Sequence, residues 1–208
     1  MWVVKLGGSL LGTPELKEWL DVFSKHADGK VVIVPGGGIF ADAVREAQTR
    51  SKVSDRVAHQ MAVMAMEQYG VLMTGLNPEL VTATSELEIA ERGWQHRAIV
   101  WLPAQMVCAD ETIPANWDVT SDSLAAWLAT KLNADHLLLV KTDRPQAPQV
   151  SVERMIKEGM IDAHFGDFIS GCNFRTWVMG RQDHTSFNEG ISQQTPPAHA
   201  AEVRCAWN

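Results

Sequence analysis

Apolar and polar positions along the chain follow two alternating periods. Val3, Val4 and Leu6 make a short aliphatic run that predicts a buried strand over 3–6. From 14 to 26 the period lengthens. Leu16, Trp19, Leu20 and Phe23 recur every three or four residues, Thr13 stands where a cap is needed and Pro14 at the first turn, so a helix is predicted there. A second β-branched run at 30–34 stops at Pro35-Gly36-Gly37-Gly38, and a helix is predicted over 39–48. Residues 54–69 give the strongest helical pattern, with Ser54 or Asp55 as cap and Val57, Met61, Met64, Ala65 and Gln68 along one side. The methionines from Met61 to Met73 read as filler of an irregular core. Further helices are predicted at 78–91 and 124–132, and strands at 98–102, 136–141 and 175–179.

Repeated βα units of this kind predict the α/β class, with a mainly parallel sheet covered by helices on both faces. Residues 1–180 are expected to form one domain. The stretch 181–208 is rich in Gln, Ser, Thr, Pro and His and lacks a clear period, so it is expected to be a loosely attached polar tail.

Composition narrows the function classes. Eighteen Lys and Arg against 25 Asp and Glu leave a formal charge of −7, which argues against an extended nucleic-acid or anionic membrane surface. Any anion site must be local. Apolar runs such as 137–140 fall far short of the ~20 residues that cross a bilayer, and the first strand does not read as a secretory leader, so a cytoplasmic protein is expected. Cys108, Cys172 and Cys205 are odd in number and lack CxxC spacing, and the seven histidines form no ligand pattern. Neither a disulfide framework nor an intrinsic metal site is expected. Trp94, Trp101, Trp117 and Trp127 read as core or interface residues.

The glycines carry the chemistry. In parallel sheets ligands bind outside the carboxyl ends of the strands, where Gly7-Gly8 and Gly36-Gly37-Gly38 both fall. Glycine lets the backbone approach a ligand and turn successive amides toward one anion, and a helix start adds partial positive charge. Two such clusters on neighbouring strands, with Lys5 on the first, point to phosphate. Neither the P-loop nor the dinucleotide pattern is present.

Lys5-Leu6-Gly7-Gly8-Ser9, Pro35-Gly36-Gly37-Gly38 and Asp118-Val119-Thr120-Ser121-Asp122-Ser123-Leu124-Ala125 resemble, in order, three signatures of the amino acid kinase superfamily. The resemblance implies a three-layer αβα sandwich of the carbamate kinase-like type, with ATP over the carboxyl edge of the sheet and a small acceptor opposite. It implies that Lys5 contacts the transferred phosphate and that Asp122 holds the active-site lysines in place. Gly7, Gly8, Gly36 and Gly37 would offer amides, and Ser9 either a hydroxyl or a turn cap. Thr120 and Ser121 would touch nucleotide phosphate, although an ordinary helix cap also explains Ser121 or Asp122. Lys141, followed by Thr142-Asp143, would reach the nucleotide. Two departures stand out. Arg144-Pro145-Gln146-Ala147-Pro148 replaces a glycine-containing hairpin, and Gly159-Met160 is not followed by the family's later lysine, leaving Lys157 or Lys141 to supply that charge.

The segments 38–42 and 54–70 resemble the branch of the superfamily that phosphorylates a phosphomonoester in methanofuran-type one-carbon cofactor biosynthesis. Gly38, Asp42, Asp55 and His59 are then the candidates for a phosphate- and amine-bearing acceptor, with His59 partly cationic near neutral pH and Asp55 equally readable as a cap. Mg²⁺ is expected with ATP, bridging phosphates and keeping several waters. Other acceptors within the superfamily, namely an amino-acid carboxylate, uridine monophosphate or isopentenyl phosphate, stay open, as does a non-catalytic nucleotide- or anion-storage protein. A homo-oligomer, with a dimer favoured, is expected across the long helices.

Overall fold

The structure, a computed structural model, describes residues 1–193 and 197–205. Its strands are β1 (Trp2–Leu6), β2 (Val31–Pro35), β3 (Val81–Ala83), β4 (Ile99–Trp101), β5 (His136–Lys141), β6 (Gln149–Ser151), β7 (Arg175–Gly180) and β8 (Ala201–Arg204). Its helices are α1 (Pro14–His26), α2 (Gly38–Ser51), α3 (Asp55–Leu76), α4 (Glu86–Trp94), α5 (Ala104–Val107), α6 (Ser121–Lys131), α7 (Val152–Lys157), α8 (Phe165–Ile169) and α9 (His184–Gln193). The strands form one sheet in the order β3-β4-β2-β1-β5-β7-β8-β6. All neighbours run parallel except β7 and β8.

Period-two alternation places the two cores. Val3, Val32, Leu137 and Leu139 face one side of the sheet with Trp101 and Trp127, whereas Val4, Ile33, Leu138 and Val140 face the other with Trp19 and Phe23. Helix α6 covers the first side and α1 the second, giving the αβα sandwich. Both faces of β1 are buried, so it reads as a continuous apolar run broken only by Lys5. The chain leaves β1 toward β2 and later returns to its other flank as β5, so a topological switch point lies at their carboxyl ends.

Several elements differ from their sequence expectations. The helix expected at 78–91 is instead β3 followed by α4. Val81 and Thr82 pair with β4, and Ser85 starts the helix by accepting the Glu88 amide at 3.2 Å, while the Glu88 carboxylate accepts the Thr84 amide at 2.7 Å. Thr13 sits at the start of α1 but spends its hydroxyl on the Leu10 carbonyl. Helix α3 runs on to Leu76, beyond the predicted 69, and Ser54 is its cap.

Within the stretch expected to be a loose tail, α9 buries Phe187 against Trp2, Trp19 and Phe23, with ring centroids 5.2–5.6 Å apart. Strand β8 joins the sheet through Trp177 opposite Glu202. Residues 194–196 and 206–208 of that stretch lie outside the described residues. Trp101 and Trp127 are core, whereas Trp94 is 86% exposed. Among the described residues no helix is long and apolar enough to cross a membrane.

Candidate active site

Three elements meet at the switch point. β1 carries Lys5 one residue before its end, β5 ends on Lys141, and the first turn of α6 carries Asp122. Lys5 Nζ lies 2.9 Å from one Asp122 oxygen, and Lys141 Nζ donates to both at 2.7 and 2.8 Å. The three side chains are nearly buried, at 7%, 13% and 7% exposure for Lys5, Lys141 and Asp122. Two ammonium groups on one carboxylate leave a net positive charge where little water screens it. Burial works to raise the Asp122 pKa, but Lys5 and Lys141 together hold it below the usual carboxylate value. Burial, and then repulsion from Lys5, bring Lys141 down to about 8.

Asp122 is free for the lysines because another residue caps the helix. Asp162 accepts the amides of Thr120 and Ser123 at 3.0 and 3.1 Å and the Thr120 hydroxyl at 2.8 Å, and it also accepts the Ser123 hydroxyl. The Thr120 hydroxyl, expected on nucleotide phosphate, is therefore committed to Asp162. Sequence reading missed this residue, which lies in the segment that lacks the family's late lysine. Lys157 sits on α7, attached to the far edge strand β6, leaving Lys141 as the second cation of the centre.

The two glycine loops press against each other, backbone on backbone. A Cβ on Gly8 would fall 2.4 Å from the Gly38 nitrogen, and Gly38 itself has a φ of +53°, which disfavours any residue with a side chain. The expected division of labour among the glycines changes. The Gly7 amide donates to Val140 O at 3.3 Å and that of Gly36 to Leu6 O at 2.9 Å, so these two tie the loops to the sheet. The amides of Gly8, Gly37 and Gly38 have no backbone acceptor among the described residues, and all three glycines line a cavity of about 550 Å³.

That cavity lies on the β2 side of the lysine centre. Its apolar wall includes Val63, Met66 and Leu124, and Ser121 lines it beside Asp122. Asp42 and His59 line it as expected, and Arg45, Asn116 and Trp117 line it unforeseen. Asp42 is paired with Arg45 at 2.9 Å, and the Arg45 guanidinium lies 4.3 Å from the Trp117 ring centroid. His59 departs from the cation expected of it: burial lowers its pKa, against a smaller opposing effect of its hydrogen bond to the Asn116 backbone. Asp55 does not line the cavity and instead accepts from Gln48 at 2.8 Å.

A second hollow of about 250 Å³ opens across the centre, at the ends of β5 and β7, with Thr142, Asp143, Arg144, Gly180 and Asp183 in its wall. Arg144 pairs with Asp183 at 3.2 Å, and Asp183 accepts the Gly180 amide at 2.8 Å. Ser9, which lines the first cavity, shares a hydrogen bond of 3.1 Å with Thr142 of the second. Among the described residues no group of three or more His, Cys, Asp or Glu side chains is placed to hold a metal ion.

Unpaired amides and a net cation gathered at one switch point suit phosphoryl oxygens better than any uncharged ligand. That combination is the one by which one class of α/β proteins seats phosphorylated ligands over a sheet edge. Within that class the match is specific: the model of the amino acid kinase family covers residues 1–144, and the chain belongs to that family. Over 142 residues it is 29% identical to the [5-(aminomethyl)furan-3-yl]methyl phosphate kinase of Methanocaldococcus jannaschii, covering 67% of this chain and 64% of that protein. Solved structures share the fold. The uridylate kinase of Archaeoglobus fulgidus aligns over 99% of both chains at 17% identity, with a TM-score of 0.70. The UMP kinase of Bacillus anthracis aligns over 98% of this chain and 95% of its own at 13% identity, with a TM-score of 0.71.

Proposed function

We propose that the protein is an ATP-dependent kinase that transfers the γ-phosphoryl group to a small phosphomonoester, in the synthesis of a methanofuran-type one-carbon cofactor. The observation that carries this reading is the pair of cavities on opposite sides of a buried Lys5–Asp122–Lys141 centre. Such a layout accommodates two substrates whose reacting ends meet at the cations. The furan phosphate kinase relative supports the acceptor class.

The geometry suits in-line transfer. A phosphomonoester, with a second pKa of about 6, is already ionised near neutral pH, so its oxygen needs no base. What the reaction needs is positioning of two anions that repel each other and neutralisation of charge on the transferred group. Lys5 and Lys141 supply the cations and Asp122 fixes where they point. The amides of Gly8, Gly37 and Gly38 hold phosphoryl oxygens on the acceptor side. Asp143 and Arg144 line the side left for the nucleotide. The acceptor oxygen bonds to the γ-phosphorus as the bond to the bridging oxygen breaks, and ADP leaves.

Mg²⁺ fits this site as an ion carried on the nucleotide phosphates rather than in a protein cage, with Asp143 and Asp183 the carboxylates in the hollow wall. A cytoplasmic setting and a homodimer complete the reading. The dimer would use the exposed Val57, Met64 and Val71, which repeat every seven residues along α3.

The test is ATP consumption with Mg²⁺ against (aminomethyl)furanylmethyl phosphate, uridine monophosphate, isopentenyl phosphate, glutamate and aspartate, with products identified by mass. A diphosphate formed from the furan phosphate is expected. Turnover of a carboxylate instead would move the acceptor class, and tight ATP binding without turnover would make the protein a nucleotide binder.

A further inference from the structure

The acceptor-side cavity has a wall that its own lining does not explain. Trp117 comes from the irregular loop before α6, yet its indole is fixed. Its Nε1–H donates to Gln48 Oε1 at 2.7 Å, and Gln48 Nε2 donates in turn to Asp55 Oδ1 at 2.8 Å. The Arg45 guanidinium lies over the ring at 4.3 Å and is itself held by Asp42 at 2.9 Å. Trp117 also packs against the small residues Ala41, Val44, Ala58 and Ala65, where α2 meets α3. Four side chains from two helices thus hold one flat aromatic group of a loop at the cavity edge. Gln48 and Asp55 do not line the cavity. A loop residue with no neighbour constraint would sample several rotamers, and ordering it costs conformational entropy. A brace this extensive is understandable if the position of the indole matters to what enters.

We propose that Gln48 is a positioning residue which, anchored by Asp55, holds Trp117 as a flat wall selecting an acceptor whose phosphate is carried on a planar ring. This assignment rests on reading the cavity as the acceptor side. The phosphate lies toward the Gly8, Gly37 and Gly38 amides, and the ring lies against Trp117 between Met66 and the Arg45–Asp42 pair. Asp42, at the rim, faces any positively charged substituent on the far side of the ring.

The experiment compares binding of benzyl phosphate, a planar ring phosphomonoester, with glycerol phosphate by calorimetry on the full chain. Wild type is expected to prefer benzyl phosphate by about tenfold, and Gln48→Leu to lose that preference while ATP affinity stays within twofold. The double substitution Gln48→Glu with Asp55→Asn keeps an acceptor for the indole and a donor on its far side, and is expected to restore the preference. The Trp117 indole N–H resonance, assigned by its loss in Trp117→Phe, should move upfield in Gln48→Leu. Asp55→Ala, at an exposed helix start, is expected to lose about threefold and keeps the test open if Gln48→Leu does not fold. Wild type that binds both phosphates equally, or a Gln48→Leu protein that keeps the preference with the indole bond gone, overturns the assignment and leaves the acceptor reading intact. Wild type that binds neither phosphate overturns that reading and the assignment with it.

Discussion

The two sides of the lysine centre are built on different principles. On the β2 side, the wall is backbone amide, helix start and aliphatic side chain, closed by an indole that four other side chains hold in place. On the β7 side the hollow is smaller and polar, walled by loop residues and by the Arg144–Asp183 pair. The first side fixes shape, because close-packed backbone and core atoms have few alternatives. The second fixes charge through loop residues, which suits Arg144-Pro145-Gln146-Ala147-Pro148 where the family resemblance led one to expect a glycine-containing hairpin. Under the proposed function, a site with one rigid and one adaptable side is expected to discriminate acceptors more strictly than nucleotides.

Substitutions at the shared centre should break both sides together. Lys5→Ala is expected to lower kcat by about 10²–10³-fold or more, with the melting temperature little changed. Steady-state kinetics beside a thermal melt decide this, and an active Lys5→Ala enzyme would remove the mechanism. Asp122→Ala leaves two buried ammonium groups without their counter-ion and should cost about 3–5 kcal/mol of stability, read by denaturant unfolding.

Gly8→Ala acts on the rigid side alone. Its methyl would fall on the Gly38 nitrogen, so the loops must part, at a cost of about 1–3 kcal/mol. Acceptor binding should weaken far more than ATP binding. Equal losses for the two ligands would show that the glycine loops do not belong to one side.

The pH profile sharpens the role of Lys141. Burial and the Lys5 charge bring its pKa down to about 8, so the free enzyme loses this cation as pH rises through that value and keeps it below. The kcat/KM profile should therefore fall on the alkaline side near 8, and Lys141→Arg, which stays charged, should lose that limb. The smallest effect is expected on the adaptable side. Arg144→Ala should raise the KM for ATP by about three- to tenfold, as for a partly exposed charged contact, and leave that for the acceptor unchanged.

Much of the fold was legible because its signals are local. The period-two runs at β1, β2 and β5 and the helical spacing of α1 and α3 follow from which side chains one face can bury. The third β-branched pair was not, since Val81 and Thr82 sit among residues that also satisfy a helical period. Strand β8 was missed because four residues with one alternation carry little pattern, and β7 and β6 on either side supply the reason for it to exist.

The site divides the same way. Sequence alone determined that two glycine loops and Lys5 would meet at a sheet edge, because strand ends and glycine freedom are properties of a few adjacent residues. Tertiary structure alone decided that Lys141 rather than Lys157 completes the centre, that Asp162 caps α6 and frees Asp122, and that Gln48 holds Trp117. These are contacts between side chains 19 to 69 positions apart. Their partners are chosen by which strands are neighbours and by the need to pair every buried charge and donor, and neither condition exists until the chain has folded.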